Sequence, residues 1–224
     1  MKFEDIINSK QLYLYAGDLK QWNCVALEKR VALTNKKWIG LTLPKYGENG
    51  YGTEDENHIL FDILDKMPLD DNTVDIYQSE DVHEHIEYDL LIEQINEIYR
   101  CLKPGGVFRL SIPDYNCDIL YNRTQKDKYG KLIFDSGGGG YYDENEKKVK
   151  GNGHVWFPTY KNVKELLEST NFDKIKYLHY YDENKVPITN SIDYSFGYIS
   201  RTPDNDNRVK QPYRPMSIVV DCYK

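Results

Sequence analysis

Carboxylates, amides and imidazoles recur in this sequence at the ends of short apolar runs. Asp62 follows HILF, Gln78, Ser79, Glu80 and Asp81 close VDIYQSED, and Asp114 closes VFRLSIPD. An HEH triplet stands at His83, Glu84 and His85, and His154 lies in GHVWF. Carboxylates accept hydrogen bonds and meet cations, and a histidine or carboxylate near a bound hydroxyl takes its proton. Asp81, His83, Asp114 and His154 are therefore the candidate proton-moving groups. The triplet invites a metal reading. On a helix, however, residues two apart point about 200° from each other, so His83 and His85 do not share an ion there and no metal is expected. Asp81 and His85, four apart, would share a face.

The elements that must hold these groups follow from hydrophobic period. Apolar, β-rich runs predict strands over residues 11–19, 38–43, 59–61, 74–78, 108–112, 175–181 and 217–223. Apolar positions at Val82, Ile86, Leu90, Ile95, Ile98 and Leu102 predict an amphipathic helix over 81–102, ended by Lys103-Pro104-Gly105-Gly106. Two strands joined by a long helix form a right-handed parallel unit. Ligands of such sheets lie outside the carboxyl ends of the strands, where the polar groups above collect. Residues 115–153 read as a long polar excursion, and their glycines 137–140 as a hinge in a lid, because no lysine and helix start follow as a phosphate cradle needs. Tyr115, Tyr121, Tyr141, Tyr142, Trp156 and Phe157 suit stacking on a sugar ring or planar acceptor.

Composition narrows the class. The 224 residues suit one domain, and a net charge of −7 argues against sequence-independent nucleic-acid binding. No run approaches the roughly 20 apolar residues of a membrane span. The four cysteines show no CxxC spacing, so neither a zinc finger nor a disulfide framework is expected, and the chain reads as a cytoplasmic protein.

With these motifs in order, the chain resembles class I S-adenosylmethionine-dependent methyltransferases of the type-11-like group. The resemblance rests on MPLDDNTVD, SEDVHEHI, EIYRCLKPGG and VFRLSIPD, then on GHVWFPTYKNVKELLESTNF. It implies an α/β fold: a Rossmann-like, doubly wound seven-stranded sheet, mostly parallel, with an antiparallel C-terminal strand. It also implies S-adenosylmethionine as cofactor. Ala16, Gly17 and Asp18 would contact it after the first strand, Thr42 after the second and Asp62 at the adenine. Gln78, Ser79 and Glu80 would lie on the methionine side. The front departs from the group's pattern: YAGD has one glycine where the group has GxGxG, and Thr42 stands where a ribose-binding acid is usual. The expected activity is O-methylation of a small-molecule or glycan hydroxyl, with a nitrogen acceptor still open. The reduced glycine turn motivates a second reading, a catalytically inactive binding or scaffold protein.

Overall fold

A computed structural model describes residues 12–17, 37–42, 52–53, 58–60, 63–67 and 69–224, with 37–42, 52–53 and 58–60 described by backbone alone. Strands β1 (Leu12–Gly17), β2 (Lys37–Thr42), β3 (Gly52–Thr53), β4 (His58–Leu60), β5 (Val74–Glu80) and β6 (Leu102–Pro113) come first. Two small pairs follow, β7 (Thr124–Lys126) with β8 (Leu132–Asp135) and β9 (Tyr141–Asp143) with β10 (Lys148–Lys150). The chain closes with β11 (Lys174–Tyr181), β12 (Pro187–Thr189) and β13 (Ser217–Tyr223). Among the described residues the helices are α1 (Leu91–Cys101), α2 (Asp118–Arg123) and α3 (Tyr160–Glu168).

The main sheet runs β12-β11-β13-β6-β5-β1-β2-β4-β3. Strands β4, β2, β1, β5 and β6 are parallel, and β13 enters antiparallel between β6 and β11. The mixed sheet with its antiparallel last strand is as expected; among the described residues it has nine strands where seven were expected. The short edge strands β3 and β12 are the additions, and neither is long enough to leave a period in the sequence. Strand β1 is buried along its whole length, which is why LYLYAG reads as a continuous apolar run rather than an alternating one.

Pleating sends alternate residues of each strand to opposite faces. One face carries Leu14, Tyr77, Phe108 and Cys222 in register. These pack in one core with Ile95 and Ile98 of α1 and Val163, Leu166 and Leu167 of α3. The other face holds Arg109, fully buried, whose Nε and Nη2 donate to the two carboxylate oxygens of Asp221, each at 2.7 Å. Its Nη1 donates to the carbonyl of Asp193 at 2.7 Å. Ile199 packs there against Leu178 and Val219. Among the described residues, then, this face is covered by the irregular segment 190–216.

The helix expected over 81–102 is shorter. It begins at Leu91, after two single 3₁₀ turns, His83–His85 and Tyr88–Leu90. Hydrogen-bond accounting gives the reason. The carbonyl of His83 accepts from Trp156 Nε1 at 2.9 Å, and that of Glu84 from the amide of Val155 at 2.9 Å. Those carbonyls are engaged by a distant segment, and Ile86 and Glu87 turn extended. The apolar spacing before Leu91 reflects burial without a helix. The excursion over 115–153 also holds more structure than expected, namely α2 and the two small hairpins, whose largely exposed faces carry no periodic signal.

Candidate functional site

The carboxyl ends of β1 and β5 lie side by side, with Gly17 paired to Glu80 and Ala16 to Ser79. A Cβ on Gly17 would fall 2.5 Å from the carbonyl oxygen of Glu80, so only glycine permits this approach. Glu80 accepts from the amide and hydroxyl of Ser200, at 2.8 and 2.7 Å, and from Tyr15 at 3.2 Å. Gln78 donates to the carbonyl of Tyr198 at 2.6 Å, while its Oε1 is buried without a hydrogen-bond partner. Segment 190–216 therefore reaches the rim as well as the face. Asp18 and Asp62 lie outside the described residues, and Thr42 is described by its backbone as the last residue of β2.

The candidate proton-moving residues part company. His83 is fully buried, its Nδ1 2.8 Å from the Ser79 hydroxyl and its Nε2 2.8 Å from Gln94 Oε1. Because the Gln94 oxygen only accepts, Nε2 carries the proton and Nδ1 accepts from Ser79. Burial pushes this imidazole down to about 4. His83 thus fastens the end of β5 to α1, and Ser79 is engaged with it. Asp114 is equally committed: one oxygen accepts from the amide of Asn116, the other from that of Tyr181, both at 2.9 Å. Burial nonetheless lifts its carboxyl to about 6.

Asp81, Glu84, His85 and His154 gather elsewhere on the rim. Asp81, at φ 56°, turns the chain sharply out of β5 and meets Arg201 Nε at 3.0 Å. Glu84 is fully buried, and neither of its carboxylate oxygens has a hydrogen-bond partner. Its Oε1 faces His154 Nε2 at 3.5 Å and His85 Nε2 at 4.0 Å. Burial, with the Asp81 charge beside it, holds the Glu84 carboxyl well above the usual range. Burial also pushes His154 down to about 3, with His85 adding to the effect.

His154 is oriented from behind. The Tyr115 hydroxyl lies 2.6 Å from Asp135 Oδ2 and 2.5 Å from His154 Nδ1. Arg123 pairs with the same Asp135 oxygen at 2.7 Å, and the side chain of Asp135 accepts from the Gly137 amide. The glycines read as a hinge pack as a wall instead: a Cβ on Gly138 would fall 2.6 Å from the imidazole of His154. Sequence reasoning left Glu84 unassigned and gave no part to Asp135, Ser200 or Arg201. Only the HEH triplet pointed toward the first, and nothing local points to the others. Tyr115 is buried and unavailable for stacking, whereas Trp156, though largely buried, reaches the wall of an open cleft. Tyr142 and Phe157 do line an open cleft of about 490 Å³, together with Lys131, Lys147 and Lys148.

Residues 45–110, which contain the β4–β5 turn, the HEH triplet, α1 and most of β6, match the family model described as Methyltransferase domain. That segment is thus similar to a methyltransferase domain. No curated protein matches it in sequence. Among solved structures, a SAM-dependent methyltransferase from Methanosarcina mazei aligns at 12% identity over 96% of this chain and 93% of that one, with a TM-score of 0.49. One from Archaeoglobus fulgidus aligns at 13% identity over 99% and 90%, TM-score 0.46. Another from Mesorhizobium loti aligns at 14% identity over 95% and 90%, TM-score 0.45. The matched segment contains Gln78, Glu80 and Glu84. Among the described residues, no helix is long and apolar enough to cross a membrane.

Proposed function

We propose that this methyltransferase transfers a methyl group to a hydroxyl of a small molecule or glycan. The observation that carries the reading is the Glu84–His85–His154 cluster at the rim: a place where an acceptor's proton can be drawn off, beside the ends of β1 and β5. An amine that is already unprotonated needs little such assistance, whereas a hydroxyl does.

The cofactor fits the rim on this chain's own features: the close approach at Gly17, the unpartnered Gln78 oxygen and the Glu80 carboxylate. Gly17, Gln78 and Glu80 would hold it, with Asp18, Thr42 and Asp62 completing the contact and Ala16 and Ser79 paired beneath. S-adenosylmethionine, when bound, supplies an electrophilic methyl group. Glu80, already accepting from Ser200 and Tyr15, would meet the cofactor's ammonium group through a remaining lone pair, and His154, oriented by Tyr115, would present Nε2 to the acceptor. Residues 115–153 act as a cover inserted in a single domain, and Tyr142, Phe157 and three lysines favour a ring-bearing, anionic acceptor in the cleft. The net charge of −7 speaks against nucleic acid as substrate. Cys101, Cys117 and Cys222 are free thiols, which supports a cytoplasmic location.

Methyl-labelled S-adenosylmethionine offered with a panel of sugars, uronic acids and small hydroxylated compounds tests the reading. A labelled methyl ether is expected, and His154→Ala should lower its formation by about 10²–10⁴-fold. Label appearing only on amines would overturn the hydroxyl assignment. Absence of S-adenosylhomocysteine binding at millimolar concentration would favour the inactive scaffold.

A further inference from the structure

Proton bookkeeping at the cluster leaves an electrostatic gap. His85 Nδ1 lies 3.1 Å from the carbonyl of Asn152 and 3.2 Å from that of Gly153. A carbonyl only accepts, so Nδ1 carries the proton and Nε2 a bare lone pair. For His154, the Tyr115 hydroxyl has one proton, and the carboxylate of Asp135, 2.6 Å away, is the stronger acceptor for it. His154 Nδ1 then donates to the tyrosine oxygen, and its Nε2 is likewise bare. Both lone pairs face Glu84 Oε1, at 3.5 and 4.0 Å. Three ligand atoms thus converge around a fully buried carboxyl that makes no hydrogen bond, with at most that carboxyl's own proton between them, which an incoming cation would displace. Arg201 pairs with Asp81 through Nε and donates no hydrogen bond to Glu84, although its charge acts on all three residues and its Nη1 is buried without a partner.

We propose that Glu84, His85 and His154 bind one divalent transition-metal ion of the zinc class, leaving a fourth position open to an acceptor oxygen. Two imidazoles and a carboxylate form a borderline-soft N/O set that suits such an ion. The three ligand atoms lie within 4.8 Å of one another. Bonds of about 2.1 Å on a tetrahedral ion put neighbouring ligands roughly 3.4 Å apart, so the partly exposed His85 must move inward, by up to about 1.4 Å at the widest pair. At 31% side-chain exposure His85 is the open edge through which an ion enters. The Asp135–Tyr115–His154 chain and the carbonyls behind His85 supply the outer shell that fixes each imidazole tautomer. His83 takes no part, so the site pairs His85 with a histidine far along the chain rather than with its neighbour in HEH.

The role of the ion rests on the methyl-transfer reading and replaces one part of it: with His154 Nε2 taken as a ligand, a hydroxyl in the open position would lose its proton to water on the dication rather than to the imidazole. The site itself is tested without turnover. The full chain, stripped with chelator and dialysed, is titrated with Zn²⁺ by calorimetry and with Co²⁺ by visible absorption. One ion per chain is expected. Glu84→Gln and His154→Ala should each weaken binding about 100-fold or more, and Tyr115→Phe about 10–100-fold. Thermal melts of the metal-free variants establish that each is folded. Wild type that binds no Zn²⁺ at millimolar concentration overturns the site, as does binding unchanged in Glu84→Gln and His154→Ala. Titration of the metal-free chain with S-adenosylhomocysteine separates the two ideas. Cofactor binding without metal binding removes only the ion, and metal binding without cofactor binding removes only the methyl-transfer role.

Discussion

His83 and His154 are both buried histidines on one rim, and their partners give them different work. His83 has both ring nitrogens satisfied by Ser79 and Gln94, whereas His154 turns Nε2 toward Glu84. The folded chain holds His83 near 4, below its ordinary 6.5. Below 6.5 the unfolded chain takes up a proton there that the folded chain refuses, so His83 lowers stability as pH falls from 6.5 toward 4. Urea unfolding at pH 7.5 and at pH 5 should therefore show a smaller acid loss in His83→Gln than in wild type; equal losses would refute the assignment. Gly138→Ala tests the wall behind His154. Its Cβ would sit 2.6 Å from the ring, so a loss of about 1–3 kcal/mol is expected, together with weakened catalysis from a displaced imidazole. A Gly138→Ala protein with wild-type stability and turnover would mean the wall gives freely.

At the scale of elements, the long buried strands were legible, while the short edge strands, the small hairpins and the helix start were not. Strand β13 and the expected run agree at residues 217–223, because a buried strand writes its burial into local apolar residues. The start of α1 depends on Trp156 and Val155 engaging carbonyls some seventy residues earlier in the chain, which no local window contains. The Arg109–Asp221 pair is the second long-range tie. Arg109 is the largest fully buried side chain, and it bonds to β13 and to the carbonyls of Asp193 and Gly197 together. Asp221→Asn strands a buried guanidinium and should cost about 3–5 kcal/mol in urea unfolding. Replacing both partners, as Arg109→Met with Asp221→Leu, should recover much of that loss. If the single variant melted like wild type, segment 190–216 would be held by something other than this pair.

Across the whole molecule, segment 190–216 links the back face of the sheet to the rim proposed to hold the cofactor. The Ser200 amide donates to Glu80 Oε1 at 2.8 Å, across 120 positions of sequence. Cofactor binding at Glu80 should accordingly slow hydrogen exchange at Ser200 and at the end of β5 together. Exchange that slows at β5 alone would mean the segment is a passive cover.

The sequence alone determined the alternation of strands and helices, the polar rim at Gln78–Asp81 and the methyltransferase resemblance. Each is carried by residues close together in the chain, where side-chain period and turn chemistry act. Tertiary structure decided which polar groups are free to act. Asp114, His83 and Ser79 are absorbed by backbone amides and a glutamine, while Glu84 is left facing two imidazoles. A residue's type fixes what it can donate or accept, but only the folded chain fixes which partners reach it and how much water is left around it.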